Sequence, residues 1–278
     1  MERSGFTRDR NLLAIEQEIL PPDTRVSITQ TTAAPYRWIC KVRVRYEDPK
    51  TGAGGWSEGS GILISPNFVL TCAHVLMGLG KPANQIKFVK IEVIPGANNT
   101  QKTPFGLYES ASFKVHPNYG KAIPRNNLDK NFVNFPWDYG IIRLKTAVKF
   151  ATKYDYWGKY ANGSLVRLDE KCILGQIAKV AGYPAQTTNL LQGEGQLKKI
   201  TAPNVDSQIS SRLFIHFADT EGSQSGAPIW LSSKIGECVI PLLVGIHAGG
   251  NATMQMNFGI RITGEMLRNI YDWKRLLK

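Results

Sequence analysis

The sequence lacks most of the features that mark metal proteins, membrane proteins and disulfide-stapled domains. Only four cysteines occur in 278 residues, with no CxxC pair and no other metal-ligand spacing, so a zinc site is not expected. No apolar run approaches the roughly 20 residues that a membrane helix needs, and no membrane span is expected. Residues 1–10 are charged and lack the apolar centre of a signal peptide. We therefore predict a protein without a metal or another cofactor.

The cysteines are too few to suggest a secreted enzyme that depends on disulfides. We expect buried free thiols, and a bridge within the second half of the chain is the alternative. The four residues are Cys40, Cys72, Cys172 and Cys238, and the alternative pairs the last two.

Positive charge outweighs negative charge, but it is not concentrated. Lys and Arg number 34 against 22 Asp and Glu, which gives a formal net charge of +12. Such a balance favours acidic partners. The basic residues are spread along the chain, and no dense run is interleaved with aromatic residues, which argues against a nucleic-acid groove. We expect a monomer with a generally basic surface and no nucleic-acid partner.

Short strand signals dominate the sequence, and Pro, Gly, Asn and Asp punctuate the gaps between them. Ile39–Tyr46 alternates apolar and basic residues with period two, which is typical of a strand with one wet face. The pattern breaks near residues 150–163, which indicates a seam between two β units. The sequence therefore predicts an all-β sandwich or barrel. The other predicted strands are Gly61–Ser65, Asn67–Thr71, Ile86–Val93, Ile141–Leu144, Ile177–Ala181, Gly195–Thr201, Leu213–Phe217, Pro228–Leu231 and Val239–Ile246.

One helix is predicted at the end of the chain, over about residues 264–277. Cations near its C-terminus favour it electrostatically. We expect its apolar stripe to dock on the protein's own core. The stripe consists of Met266, Ile270, Trp273 and Leu277.

Three short segments carry the chemistry. Ser225 lies in the glycine-flanked turn Asp219–Pro228, His74 directly follows an apolar strand, and Asp138 directly precedes another. Each residue alone has an ordinary structural explanation, as a turn serine, a core histidine or a capping aspartate. His, Asp and Ser in that order are what a nucleophilic catalytic triad of one known type requires. The coincidence predicts His74, Asp138 and Ser225 as catalytic residues.

Each member of this set has a defined chemical task. A serine hydroxyl is a weak nucleophile, so Ser225 needs His74 as general base, and His74 would return the proton to the leaving amine. Asp138 would hold the imidazole in one tautomer and stabilise its charged form. The backbone N–H groups of Ser223 and Ser225 would form the oxyanion hole.

At these residues the chain resembles the chymotrypsin-like serine proteases, and within them the bacterial glutamyl endopeptidases. The resemblance covers about residues 19–275. It implies two antiparallel six-stranded β-barrels with the active site between them, polypeptide substrates, and a secreted enzyme. Further segments that carry it are Ile19–Arg25, Val180–Pro184, Gly195–Ile200, Gly245–Gly250 and Asn257–Ile262.

The resemblance also implies a domain plan. Residues 1–18 would be an N-terminal extension and 19–278 the peptidase domain. Within that domain the first barrel would span about 36–150 and the second about 160–262. We expect a proform that is cleaved around Glu16–Ile19, where Glu16 and Glu18 offer sites for an enzyme that cuts after Glu.

Substrate preference follows from the same resemblance. Thr220 and His247 stand where that subfamily binds a substrate carboxylate, and Gly249 and Gly250 would leave room for the substrate backbone. These residues predict cleavage after Glu or Asp, and hence acidic substrates. Asp219 stands six residues before Ser225, where a carboxylate would favour basic residues, so a protease of other specificity is an alternative.

Two residues depart from the family pattern. Ser223 replaces a usual glycine, and its Cβ could restrict the oxyanion turn. Gln224 replaces an aspartate, which argues against activation by a new N-terminus that pairs with it. The first departure supports a second alternative, a protease-like scaffold that binds partners without cutting. His116 and His216 have no metal-ligand spacing and are assigned structural roles.

Overall fold

The computed structural model describes ten stretches of the chain, and strands dominate them. The described residues are 19, 22–77, 87–121, 134–151, 155–158, 164–165, 167–185, 187–200, 207–251 and 255–277. Among them, no helix is long and apolar enough to cross a membrane.

The first half of the chain forms a closed antiparallel barrel. A three-residue strand, β1 (Val26–Ile28), precedes it. The six barrel strands join in the order β2-β3-β4-β7-β6-β5. Their bounds are β2 (Ile39–Glu47), β3 (Gly54–Ser65), β4 (Phe68–Thr71), β5 (Lys87–Pro95), β6 (Tyr108–Val115) and β7 (Gly140–Leu144).

The second half forms another six-stranded barrel. Its strands follow the order β10-β11-β14-β13-β12-β9, and the pairing of β9 with β10 closes it. Two short strands extend it, because β1 pairs with β10 and β8 (Ser164–Leu165) pairs in parallel with β13. The barrel strands are β9 (Ile177–Gly182), β10 (Leu190–Lys198), β11 (Leu213–His216), β12 (Pro228–Ile235), β13 (Cys238–Asn251) and β14 (Met256–Arg261). The predicted all-β fold of two six-stranded barrels is confirmed.

The described helices are short except for the last one. They are α1 (Ala73–Met77), α2 (Glu170–Ile173), α3 (Ser207–Arg212) and α4 (Gly264–Leu276). Thr263 caps α4, since its hydroxyl accepts a hydrogen bond from the Met266 N–H at 3.1 Å. Met266, Ile270 and Trp273 are buried in the main core. The apolar stripe of α4 therefore docks on its own domain, as predicted.

A tryptophan cluster joins the two barrels. Trp38 precedes β2, Trp230 belongs to β12, and Trp157 lies in the connection between the barrels. The ring centroid of Trp157 lies 5.5 Å from that of Trp38 and 5.5 Å from that of Trp230. All three rings are buried, and the Trp157 indole N–H donates to the Pro241 carbonyl at 3.2 Å. The main core thus includes residues of both barrels.

The four cysteines are free thiols. Cys40 and Cys72 are buried, as expected, and burial raises the pKa of both thiols. Cys172 and Cys238 are exposed, so the expectation of four buried thiols is wrong for this pair. The alternative bridge between these two is not formed.

Candidate active site

The register of two strands brings His74 and Asp138 together. β4 and β7 are antiparallel neighbours, and Thr71 at the end of β4 lies opposite Gly140 at the start of β7. His74 follows the first of these residues by three positions, and Asp138 precedes the second by two. The 3₁₀ turn Phe135–Trp137 ends at Asp138, which aims the residue back toward β4. Residues 64 positions apart thereby become direct neighbours.

The carboxylate of Asp138 holds His74 at two points. Oδ1 accepts the backbone N–H of His74 at 2.8 Å, and Oδ2 lies 2.6 Å from the ring Nδ1. Both residues are buried, with 3% and 1% of their surface exposed. An ionised carboxylate only accepts hydrogen bonds, so Nδ1 carries the proton and Nε2 keeps its lone pair. The geometry leaves Nε2 available as a base.

Ser225 lies in a tight turn that joins the two barrels. Its carbonyl accepts the N–H of Ser60 on β3 at 2.8 Å, and the carbonyl of Ser60 accepts the Thr71 hydroxyl at 2.7 Å. The Ser225 hydroxyl also lies 3.4 Å from the Ala248 carbonyl of β13. The turn that carries the candidate nucleophile is therefore tied to the strand end that leads to His74.

Only glycine fits directly after Ser225. Gly226 has φ 85°, and a Cβ on it would lie 2.2 Å from the Ser60 carbonyl oxygen and 2.4 Å from the Thr71 hydroxyl. Its N–H donates to the His247 carbonyl at 2.8 Å. The close approach of the two barrels at this point requires a residue without a side chain.

Ser223 adopts a backbone conformation that favours glycine. Its φ is 76°, in the left-handed region. That region costs a residue with a Cβ about 1–2 kcal/mol. The Ser60 hydroxyl donates to the Ser223 carbonyl at 3.4 Å and helps to hold the turn. The departure noted in the sequence is accommodated as local strain in the proposed oxyanion turn.

Two histidines lie side by side next to this turn. His247 of β13 and His216 of β11 are fully buried, and His216 Nε2 lies 3.0 Å from His247 Nδ1. Main-chain hydrogen bonds fix His247, because its N–H donates to Ala227 and its carbonyl accepts from Gly226, each at 2.8 Å. This contact with His247 was not predicted for His216, which was assigned a structural role from its sequence context.

Both imidazoles are electrically neutral. Burial lowers the pKa of His247 well below its usual value, and the neighbouring His216 and His74 lower it further. Burial lowers the pKa of His216 to about 3. If His216 Nε2–H donates to His247 Nδ1, a neutral His247 carries its own proton on Nε2.

Three buried polar atoms on the histidine pair and the loop before Ser225 lack a hydrogen-bond partner within the described part of the chain. They are Nε2 of His247, Nδ1 of His216 and the hydroxyl oxygen of Thr220, and all three side chains are fully buried. A buried unsatisfied polar group costs about 1–3 kcal/mol, and such groups in native proteins call for an explanation. A ligand that reached such atoms could restore their hydrogen bonds.

The strand beyond His247 pairs on one side only among the described strands, and its residues Gly249 and Gly250 are buried. β12 pairs with β13 up to Pro228 opposite Ile246, and β13 then continues to Asn251 against β14. Gly249 and Gly250 lie in this extension, opposite Phe258 and Asn257, after an irregularity in the register. Among the described strands, β14 alone pairs with this stretch.

Asp219 is occupied by the N-terminal segment. Its carboxylate Oδ2 accepts the Thr24 N–H at 2.8 Å and the Thr24 hydroxyl at 2.6 Å. Asp219 is 2% exposed. The Asp219 carboxylate, which could have favoured basic substrates, therefore already accepts hydrogen bonds from within the protein.

With this geometry in hand, comparison with known proteins assigns the family. The sequence profile of the family described as Trypsin matches residues 27–270. The chain belongs to the trypsin family. Members of this family are chymotrypsin-like serine proteases.

A curated relative is similar in sequence, and three solved structures share the fold. The chain is 26% identical to a glutamyl endopeptidase of Bacillus licheniformis over 262 residues, which cover 93% of this chain and 69% of the relative. A Glu endopeptidase solved in complex with MPD has a TM-score of 0.62 at 20% identity, covering 93% of this chain and all of the other.

Two further structures share the fold alone. A collagenase structure has a TM-score of 0.57 at 16% identity, and the alignment covers 86% of this chain and 92% of the other. A scabies mite inactivated protease paralogue has a TM-score of 0.54 at 18% identity, covering 86% of this chain and 94% of the other.

Two residues of the candidate triad, together with Cys72, form a group with the composition of a metal site. Ligand atoms of Cys72, His74 and Asp138 all lie within 4.8 Å of one another. Two zinc ligands on a tetrahedral ion would be roughly 3.3 Å apart. The His74 and Asp138 atoms are 2.6 Å apart, a hydrogen-bond distance, and the Cys72 thiol donates to the His247 carbonyl at 3.2 Å. These residues do not fit a metal ion in this arrangement.

His116 has structural contacts, in keeping with its assignment from the sequence. It stacks on Trp137 with ring centroids 4.6 Å apart, and its Nε2 lies 3.2 Å from the Glu265 carboxylate of α4. Arg212 also pairs with Glu265, at 2.6 Å. This cluster ties α4 to the turn before Asp138. The expected cleavage stretch around Glu16–Ile19 lies outside the described residues, apart from Ile19.

Proposed function

We propose that the protein is a serine endopeptidase that uses Ser225, His74 and Asp138 and that prefers Glu, or Asp, before the cut. The proposal takes the family as its starting point. Three observations support the triad: the paired contacts of Asp138 with His74, the burial of both, and the hydrogen bond from Ser60 that ties the Ser225 turn to the barrel that carries His74.

The reaction would proceed through an acyl-enzyme. The Ser225 hydroxyl attacks the scissile carbonyl while His74 Nε2 removes its proton, and the N–H groups of Ser223 and Ser225 donate to the oxyanion. His74 then gives the proton to the leaving amine. A water molecule deprotonated by His74 hydrolyses the ester, and Ser225 recovers its proton. Asp138 stays ionised and stabilises the imidazolium in both steps.

The observation that carries the acidic preference is the pair of unpartnered buried atoms, Thr220 Oγ1 and His247 Nε2. In the tautomer with its proton on Nε2, a neutral His247 would offer one donor to a carboxylate and the Thr220 hydroxyl would offer a second, and a carboxylate is a strong acceptor. The +12 formal charge of the chain also favours an acidic substrate approaching the site. Binding Glu would satisfy both orphan groups at once.

Two features of the surroundings agree with this preference. Asp219, which would attract a basic side chain, is engaged by Thr24. Among the described strands only β14 pairs with Gly249 and Gly250, so the substrate backbone could add on the other side as a further strand.

Two further proposals rest on the family resemblance. They are action outside the cell and removal of residues 1–18 on activation. Intact mass of active enzyme purified from its native host would test the second, and retention of Met1 would contradict it.

The main experiment compares peptides that differ only in the residue before the cut: Glu, Asp, Gln, Lys and Phe. We expect kcat/KM for Glu to exceed that for Gln, its neutral isostere, by on the order of 100-fold, because the pocket recognises the carboxylate. Ser225→Ala should abolish turnover, and Thr220→Val should lower kcat/KM for Glu about tenfold while that for Gln changes little.

Three results would contradict parts of this proposal. Cleavage after Lys in preference to Glu would contradict the proposed recognition of acidic side chains and would indicate a protease that cuts after basic residues, with Asp219 as the specificity residue. Equal activity toward Glu and Gln would remove carboxylate recognition. Turnover by Ser225→Ala at the wild-type rate would remove Ser225 as the nucleophile. Ser233→Ala, a serine on β12 outside this site, serves as the matched control.

A further inference from the structure

The loop before Ser225 carries two of the proposed functional groups. In the segment Asp219–Gln224, Thr220 would contact the substrate and the Ser223 N–H would contact the oxyanion. Ser223 holds a left-handed φ of 76° that its side chain disfavours. A loop with this strain keeps its shape only if its surroundings hold it.

Much of that restraint comes from residues almost 200 positions earlier in the chain. The Asp219 carboxylate accepts two hydrogen bonds from Thr24, at 2.8 and 2.6 Å. Arg25 Nη1 lies 2.9 Å from the Glu221 carboxylate and 3.3 Å from Gln224 Oε1. Gln224 is fully buried, and its Oε1 also accepts the Glu221 N–H at 2.7 Å.

The segment that supplies these contacts is itself anchored. β1 begins one residue after Arg25 and pairs with β10, with Val26 opposite Gln192. The Arg25 side chain is 6% exposed and also pairs with Asp23 at 2.8 Å. Burial opposes the charge of Arg25, but its hydrogen bonds to Asp23 and Glu221 outweigh burial and raise its pKa. The segment around Thr24 and Arg25 is therefore anchored and carries a positive charge where it contacts the Asp219–Gln224 loop.

The contact with Asp219 also has an electrostatic consequence. Asp219 is adjacent in sequence to Thr220, the residue proposed to bind the substrate carboxylate. A carboxylate turned toward that position would repel an acidic substrate and attract a basic one. In the structure, the two donors of Thr24 instead hold the Asp219 carboxylate against the N-terminal segment.

We propose that Thr24 and Arg25 form an N-terminal clamp that positions the Asp219–Gln224 loop and determines specificity by holding the Asp219 carboxylate away from the substrate. Both are positioning residues, since they would act through the loop. The specificity part of this inference rests on the proposed function, whereas the positioning part applies to any substrate the enzyme cleaves.

The first test separates binding from turnover. Thr24→Val removes the hydroxyl donor and leaves the backbone N–H, so the Asp219 carboxylate is held less firmly. It should raise KM for the Glu peptide about tenfold, with a much smaller effect on the Phe peptide, because a carboxylate that can turn toward the substrate repels only the acidic one. Thr24→Ser keeps both donors and should restore wild-type values. In an Asp219→Asn background, Thr24→Val should change KM less than about twofold, because no charge is left to hold.

The second test concerns the loop itself and does not need activity. Arg25→Gln should speed amide hydrogen exchange in peptides covering 219–226 at least about tenfold and lower kcat for every substrate that the wild type cleaves. Arg37→Gln removes another arginine, which pairs with Asp155 at 2.6 Å, and is the matched control. Thr31→Val, which loses a buried hydroxyl bonded to the Gly96 carbonyl, is the control for Thr24→Val.

Opposite outcomes overturn the two parts separately. Unchanged loop exchange in both Thr24→Val and Arg25→Gln would overturn the clamp. A fully additive effect of Thr24→Val in the Asp219→Asn background would overturn its role in specificity. If the wild type shows no preference for Glu, the proposed function fails, while the loop-exchange measurement still decides whether the clamp exists.

Discussion

The strained Ser223 gives the sharpest prediction about the proposed oxyanion turn. Ser223→Gly should relieve the cost of φ 76°, about 1–2 kcal/mol for a residue with a Cβ. The glycine variant has more conformational freedom in its unfolded chain, which lowers the free energy of unfolding by about 0.4–1 kcal/mol and offsets part of this gain. We therefore expect the free energy of unfolding to rise by about 0.5–1 kcal/mol and the Tm by about 2 °C.

Kinetics distinguish the turn from an ordinary loop. Ser223→Gly should keep the backbone geometry, so kcat should stay within about threefold of wild type, whereas Ser223→Val should lower kcat at least about tenfold, because a β-branched residue is poorly tolerated at positive φ. Lys102→Gly is the matched control, since Lys102 also has a positive φ, 56°, in an exposed turn. It should gain similar stability and leave kcat unchanged.

The measurements are urea unfolding and steady-state turnover of one peptide for all four proteins. A Ser223→Val enzyme with wild-type kcat would refute the assignment of the Ser223 N–H to the oxyanion. A Ser223→Gly enzyme less stable than wild type would refute the argument from strain.

Three further predictions concern the stability of the fold. Because the pKa of His216 falls to about 3 in the folded protein, the unfolded chain binds more protons below pH 6.5, and the free energy of unfolding falls as the pH is lowered. His216→Gln should lessen that dependence by about 1.4 kcal/mol per pH unit between about pH 6 and 4. Urea unfolding at several pH values measures the dependence, and an unchanged slope of unfolding free energy against pH would contradict this. Gly226→Ala should prevent stable folding, seen as loss of a cooperative thermal transition, since its Cβ would meet the Ser60 carbonyl at 2.2 Å. Gly236→Ala, with φ 60° and open space around it, should cost only about 1–2 kcal/mol. Thr263→Ala should cost about 1 kcal/mol in thermal denaturation by removing the cap of α4, and no loss would contradict the capping role.

Strands with clear alternation or strongly apolar composition were predictable from the sequence, while weakly patterned ones were not. Ile39–Tyr46 corresponds to β2, which extends one residue further. β6 was missed because its centre, around Ser110 and Ser112, is small and polar and the register shifts there. β1 was missed because it has only three residues and leaves Val26 53% exposed.

Candidate site residues were predictable where the chemistry is local in sequence. The short motifs around His74, Asp138 and Ser225 indicated a role only in combination, and strand register explains why the first two residues meet. The neighbour of His247 could not be found this way. His216 and His247 lie on β11 and β13, which are separated by β14, so their contact depends on barrel topology.

The contact between Thr24 and Asp219 is also beyond local patterns. It joins residues 195 positions apart, and the composition of neither flanking segment indicates that it contacts the other. The sequence offered Asp219 as a reason to doubt an acidic preference. The structure places two donors on that carboxylate, which is information that only the folded chain contains.

The tryptophan cluster provides an optical probe of the cleft. His74 and Asp138 stand on one barrel and Ser225 on the other, and the rings of Trp38, Trp157 and Trp230 lie packed where the barrels join. Three of the six tryptophans of the chain therefore sample the same water-free region. Indole emission moves to longer wavelength when water reaches the ring. A separation of the barrels would change this intrinsic fluorescence without any label, and binding events that leave the barrels together would not.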